Sequence, residues 1–258
     1  MQSMETPVHD APLAARLGDT PRAKGIKRYG VKSLWRTLQG EGAWAGRPAI
    51  FVRFVGCNMW SGYEADRERE AARGHACAAF CDTDFTKEGS VRLSADALAA
   101  EAARVAAGGA APVDLVVLTG GEPLLQADAG LIHALHAAGF EVAVETNGTV
   151  RLADAFGEDE QGWPDWIVCS PKLPVNRTVI ETLDELKLVV PAYRPADYAE
   201  VAGRVRVHRL GTRERRYLWV QPEDGPRLGE ATRLAVDLAQ RDPRWRVSVQ
   251  THKILNVD

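Results

Sequence analysis

Cys57-Asn58-Met59-Trp60, followed after a polar insert by Cys77-Ala78-Ala79-Phe80-Cys81-Asp82-Thr83-Asp84, gathers three of the chain's four cysteines. It lies just behind Ala49 to Val55, an apolar run that reads as a strand. Thiolates collected on a loop behind a strand make a soft-ligand site for iron–sulfur or zinc, because sulfur suits those metals and carboxylate does not. A disulfide framework is the weaker reading in a long chain without a secretory signal. Three cysteines with no obvious fourth partner favour a metal centre with one open position, since closed structural zinc sites take four nitrogen or sulfur ligands. His75 stands two residues before Cys77, so Cys57, His75, Cys77 and Cys81 also spell a Cys3His zinc knuckle. The loop alone leaves both metals open.

The rest of the chain sets bounds on that centre. A length of 258 residues suits one large domain, since α/β barrels commonly reach this size undivided. Hydrophobic and charged shares of 45% and 26% are those of an ordinary globular protein. A formal net charge of −3 argues against wholesale wrapping of nucleic acid, though not against a local basic patch. No apolar run approaches the ~20 residues of a membrane-spanning helix, so no membrane partner is expected. Free cysteines without an export signal point to a reducing, cytoplasmic setting.

Residues 1–28 read as a solvated N-terminal extension, because Pro7, Pro12 and Pro21 interrupt any helix and apolar residues are sparse. The catalytic domain is expected over 29–258. Thr37-Leu38-Gln39-Gly40-Glu41-Gly42 offers glycines for close backbone approach, with an amide and a carboxylate suited to the edge of a nitrogen heterocycle. A polar turn before a strand is the plainer alternative. Arg53 sits among apolar neighbours in a probable strand, which marks it as an anion binder or half of a buried ion pair.

Beyond the cysteines, Ser94-Ala95-Asp96 starts an alanine-rich helix that Gly108-Gly109 ends. Strands are expected at Asp114–Leu118, Phe140–Val144, Trp166–Val168, Glu185–Val190, Tyr217–Val220 and Trp245–Gln250. Helices are expected near Asp197–Val205 and Leu228–Arg241. After the first of these strands, Thr119-Gly120-Gly121-Glu122-Pro123 makes a tight turn whose exposed N–H groups suit a polar cofactor. His133 and His136 read as packing or surface histidines. Cys169, the remaining cysteine, is a small buried thiol or a fourth ligand. Polar residues repeatedly follow strand C-termini, the rim where parallel α/β barrels place their sites.

The cysteine loop, Thr119-Gly120-Gly121-Glu122-Pro123, Glu145-Thr146-Asn147-Gly148 and Ser170-Pro171-Lys172 together resemble the radical S-adenosylmethionine superfamily. Thr37-Leu38-Gln39-Gly40-Glu41-Gly42, Cys81-Asp82-Thr83, Gln221-Pro222 and Thr251-His252-Lys253 narrow the resemblance to the 7-carboxy-7-deazaguanine synthase family. The likeness runs from about Tyr29 to Asp258.

That resemblance implies an incomplete, TIM-like β/α barrel and a lyase acting on 6-carboxy-5,6,7,8-tetrahydropterin. The product would be 7-carboxy-7-deazaguanine, a precursor of queuosine and related bases, formed with loss of ammonia. It implies a [4Fe–4S] cluster on Cys57, Cys77 and Cys81, S-adenosylmethionine on its open iron, and Mg2+ on Thr83. Leu38, Gln39, Gly40, Glu41, Arg53, Thr119, His252 and the terminal carboxylate of Asp258 would meet the pterin. Phe80, Cys81, Asp82, Gly121, Glu145, Ser170, Pro171, Lys172, Gln221, Pro222, Glu223 and Asp224 would line the S-adenosylmethionine site. A homodimer and an electron donor such as flavodoxin or ferredoxin complete the expectation. The cysteine spacing departs from the superfamily's Cys-x3-Cys-x2-Cys, with nineteen residues in the first gap and three in the second. The alternatives are a zinc-knuckle module that binds nucleic acid or protein, and a radical activase acting on another protein.

Overall fold

The computed structural model describes residues 13–257; residues 1–12 and Asp258 lie outside the described residues. The strands in chain order are β1 (Tyr29–Leu38), β2 (Pro48–Phe54), β3 (Val91–Leu93), β4 (Leu115–Gly120), β5 (Glu141–Thr146) and β6 (Trp166–Cys169). They continue with β7 (Glu185–Val190), β8 (His208–Leu210), β9 (Arg213–Arg215), β10 (Tyr217–Pro222) and β11 (Trp245–Val247). Nine of them form one sheet in the order β11-β10-β7-β6-β5-β4-β2-β1-β3. Every pairing from β2 to β11 is parallel, and only β1 runs antiparallel to its neighbours. The fold is therefore mixed α/β with a large, mostly parallel sheet. β8 and β9 make a separate antiparallel hairpin that the strand pattern of the sequence did not announce.

Parallel strands need long crossovers, and capped helices supply them. Ser94 accepts from Ala97 N at the start of helix Ala95–Ala106, and Asp128 accepts from Leu131 N at the start of helix Ala129–Ala137. Helix Leu228–Arg241 links β10 to β11 over the expected span. The segment expected to be helical at Asp197–Val205 is a turn, Pro195–Tyr198, running into a short helix, Ala199–Gly203. Pro195 opens a tight single turn, where its missing N–H is tolerated, and the regular helix begins only after it. Among the described residues no helix is long and apolar enough to cross a membrane.

The two sheet faces do different work, because successive side chains alternate. One face carries Val116 and Leu118 of β4 into the main core beneath the helices. The other is apolar only at the strand starts, where Ala49, Leu115, Val117 and Ala143 pack with Trp44, Phe51 and Trp166. Further along that face the same strands turn polar, reaching Thr119, Glu145, Lys187 and Gln221. The polar rim thus lies at the strand C-termini, over a small apolar floor.

The expected solvated extension needs correcting from Leu13 onward. Leu13 is 3% exposed and belongs to the main core. Arg16 pairs with Glu101 at 2.5 Å, while Thr20 N donates to Arg92 O and Asp19 accepts from Arg92 N, each at 2.8 Å. Sparse apolar residues hid this, because one buried leucine and a few polar ties suffice to dock a short segment. Leu13→Ala is therefore expected to lower unfolding free energy by about 2 kcal/mol or more in urea titrations. A change below about 0.5 kcal/mol would show that this segment does not dock.

Candidate active site

The turn after β2 and the turn after β4 meet backbone to backbone, and this contact places the first thiol. A Cβ on Gly121 would lie 1.9 Å from Gly56 O and 2.9 Å from Cys57 Cβ. Gly120 adopts φ of 132°, a conformation that a side chain would strain. The N–H groups of Gly121 and Glu122 donate to Phe54 O and Gly56 O at 3.4 and 3.0 Å. These donors were expected to face a cofactor; they are spent in joining the two turns. Beneath them Glu122 is fully buried and accepts from Leu124 N, Thr146 Oγ1 and Asn147 N at 2.7 to 3.0 Å. Burial raises its carboxyl to about 7 against those three donors. No sequence pattern separated this structural glutamate from the glycine turn around it.

Cys57, Cys77 and Cys81 all line one cavity of about 210 Å3 at the strand C-termini. The polar insert between them contains a helix, Arg67–Ala72, and a tight turn, Ala76–Ala79. Cys81 N donates to Cys77 O at 2.9 Å, so one helical turn separates these two cysteines. A four-residue step brings side chains to the same side of a turn, which is how the three-residue gap is accommodated. Met59, Trp60 and Phe85 wall this end and are 4, 6 and 2% exposed. Burial pushes the Cys57 thiol up to about 12 and raises Cys77 as well, the latter partly offset by Lys172.

The donor chemistry fits a soft metal, three thiols and no carboxylate, although among the described residues no group of three or more His, Cys, Asp or Glu is arranged to hold a metal as it stands. A metal would have to displace the thiol protons. His75 does not line the cavity, and its Nδ1 stands 3.4 Å from Glu70. Cys169 is fully buried in the main core and also does not line it.

Residues expected on the cofactor side converge on the same cavity. Phe80, Asp82 and Gly121 line it from the turns, with Glu145 from β5 and Ser170 and Lys172 from behind β6. Gln221, Pro222, Glu223 and Asp224 close it from the end of β10, whereas Pro171 does not reach it. Lys172 donates to Ser170 Oγ at 2.8 Å, and its ammonium lies 6.0 and 5.9 Å from the ring centres of Phe80 and Tyr193. Burial pulls its proton affinity down, while Cys77 opposes that shift. Lys253 bridges Asp82 at 2.5 Å and Asp224 at 2.7 Å across the mouth.

On the expected substrate side, Glu41 and Thr119 line the cavity, while Leu38, Gln39, Gly40, Arg53 and His252 do not. Glu41 pairs with Lys187 and accepts from Gln221 Nε2 and Gln250 Nε2, each at 2.9 Å. Burial alone would raise this carboxyl, but Lys187 outweighs it and holds it at about 2. Gln39 donates to Glu145 Oε1 at 2.9 Å and accepts from Glu41 N at 3.1 Å, so its amide braces two carboxylate-bearing segments. The His252 ring lies where a Cβ on Gly40 would be, 1.9 Å from Nδ1, so only glycine admits it. Arg53 is in register with Thr119, and its guanidinium lies 4.9 Å from the Trp35 ring centre. Thr83 lines the cavity and a more open one beside it that Asp82 and Asp84 share. Asp258 lies outside the described residues. Lys187 itself escaped the sequence reading, although a lysine in the run Glu185-Leu186-Lys187-Leu188-Val189-Val190 carries the signal that singled out Arg53.

No protein-family model matches the chain. The 7-carboxy-7-deazaguanine synthase of Burkholderia multivorans is 45% identical over 235 residues, 89% of this chain and 99% of the relative. The synthase of Bradyrhizobium diazoefficiens is 45% identical over 232 residues with the same shares, and that of Bordetella pertussis 44% over 237. Among solved structures, QueE from Escherichia coli matches with a TM-score of 0.56 at 27% identity, over 86% of this chain and 94% of that one. Identity of 44 to 45% across 89% of this chain places the chain in the 7-carboxy-7-deazaguanine synthase family.

Proposed function

We propose that the chain converts 6-carboxy-5,6,7,8-tetrahydropterin to 7-carboxy-7-deazaguanine with loss of ammonia, in the biosynthesis of queuosine and related 7-deazapurines. The observation that carries this reading is one cavity holding three thiols, a half-buried lysine and an ionised glutamate, in a chain matched over 89% of its length by a synthase of that name. The parallel run from β2 to β11 is read as an incomplete β/α barrel, with its site at the strand C-termini.

Cys57, Cys77 and Cys81 would hold a [4Fe–4S] cluster beside S-adenosylmethionine. When bound, these two groups supply one-electron radical chemistry that protein side chains do not. The chain's own residues bind, orient and exclude water. Lys172 offers a half-buried cation at the cofactor end, next to Ser170 and the β10 segment Gln221–Asp224. Glu41, kept ionised, offers an acceptor for the N–H edge of a pterin, and Thr119 stands on the same face of the sheet. Gln39, Gly40 and His252 lie one layer behind and hold that edge in place. Arg53 and the terminal carboxylate of Asp258 complete the proposed substrate side. Thr83, beside Asp82 and Asp84, suits the hard oxygen preference of Mg2+. Met59, Trp60 and Phe85 keep water from the thiol end. We further read the protein as a cytoplasmic homodimer served by flavodoxin or ferredoxin.

Anaerobic turnover with the carboxy-tetrahydropterin, S-adenosylmethionine and a reductant tests the reading, with 7-carboxy-7-deazaguanine as the expected product. Iron-replete protein that cleaves S-adenosylmethionine but leaves the pterin unchanged would overturn it. Cys57→Ala, Cys77→Ala and Cys81→Ala are each expected to lose most of the iron retained after anaerobic reconstitution, whereas Cys169→Ala and His75→Ala keep it. Full iron in Cys77→Ala together with loss in His75→Ala would reverse that ligand assignment. Thr83→Ala is expected to keep its iron and lose most of the Mg2+ dependence of turnover. An unchanged Mg2+ titration removes Thr83 from the metal site.

A further inference from the structure

We propose that Lys187 is the positioning residue that couples the two ends of the cavity, holding the substrate-side carboxylate of Glu41 and the cofactor-side carboxylate of Glu145 on one buried ammonium. This rests on the functional reading above and adds a residue with no role there. Lys187 is 4% exposed and projects from β7 on the same face as Glu185 and Val189. Lysine is almost never buried this far without partners. Here Nζ donates to Glu41 Oε2 and stands 3.4 Å from Glu145 Oε2.

The remaining oxygens of the two carboxylates go to neutral amides. Gln221 and Gln250 hold Glu41 Oε1, and Gln39 holds Glu145 Oε1, all at 2.9 Å. The amides therefore orient the carboxylates, while the ammonium supplies the opposite charge that lies between them. Burial works against that ammonium, and Glu145 and Glu41 outweigh it, with Glu185 on the same strand acting in the same direction. Lys172, the other cation nearby, is half-buried, donates to Ser170 and is influenced by Cys77, Lys187, Cys81 and Glu41 in that order. Without Lys187, the half-buried carboxylates of Glu41 and Glu145 would confront each other with no cation between them, and like-charge repulsion would favour a proton on the pair. A proton on that pair removes the charge that strengthens acceptance from the heterocycle and disturbs the cofactor end as well. One substitution should thus disturb both ligands, in a pH-dependent way.

The test is equilibrium binding of 6-carboxy-5,6,7,8-tetrahydropterin and of S-adenosylmethionine, measured separately at pH 6.5 and 8.5 on the anaerobic iron-loaded protein. It compares the native chain with Lys187→Met and Lys187→Arg, with iron content and circular dichroism as controls. Lys187→Met is expected to bind the pterin on the order of ten-fold more weakly or worse at pH 6.5, with a smaller deficit at pH 8.5 as the second carboxylate ionises. S-adenosylmethionine should weaken in parallel. Lys187→Arg keeps the charge but moves its donors, so its deficit should be several-fold and the same at both pH values. If Lys187→Met does not fold, Lys187→Arg decides alone, and native affinity for both ligands in that variant overturns the proposal. Deficits in Lys187→Met that are absent or equal at the two pH values also overturn it. Failure of the native protein to bind the pterin would instead remove the functional reading, and this proposal with it.

Discussion

Gly121 lies so close to the Gly56 carbonyl that the turn after β4 has no room for a side chain at the contact. The end of β4 and the loop that opens behind β2 are thereby locked together, and Cys57 is carried to the rim by backbone geometry. Everything at the thiol end follows from that lock. The helix and tight turn of the insert bring Cys77 and Cys81 back to the same cavity, and the aromatic wall of Trp60 and Phe85 packs edge to face beneath them, 5.7 Å between ring centres. The glycines act by making a joint between strands, which consumes the very N–H groups that a glycine turn ordinarily presents to a ligand.

The opposite wall is held by charge. Two carboxylates, one ammonium and three amides are packed above an apolar floor that Ala49, Leu115, Val117 and Ala143 make a few residues earlier on the neighbouring strands. Removing such groups from water costs several kcal/mol per ion before pairing returns it, so an apolar substitute of equal volume would serve stability as well or better. Their retention makes sense where a polar, oriented surface is wanted at a fixed height above the floor. The small residues Ala49 and Ala143 lower that floor and leave space above it.

The strands were legible because each is a short apolar run between polar turns, and helix Ala95–Ala106 because Ser94 and Gly108-Gly109 mark its ends. The rim was legible for the same reason: polar residues recur where those runs stop. Lys187 and Glu122 were not singled out, since a charged residue inside an apolar run gives no sign of its partner until the fold supplies one. The docked segment from Leu13 was missed because composition averages over a stretch in which a single side chain does the packing. Which thiols share a cavity was suggested by the cysteine pattern, but the turn that reconciles Cys77 with Cys81 lies in backbone hydrogen bonds that spacing does not encode.

Lys253 fastens the short C-terminal helix Thr251–Leu255 to Asp82 on one lip and Asp224 on the other. Its partners are 59 and 44% exposed, so this clasp is bathed in solvent, unlike the ammonium on the floor. Salt weakens exposed ion pairs and leaves buried ones far less affected. The doorway and the chamber therefore answer to different solvents, with salt loosening the first while the second keeps its shape.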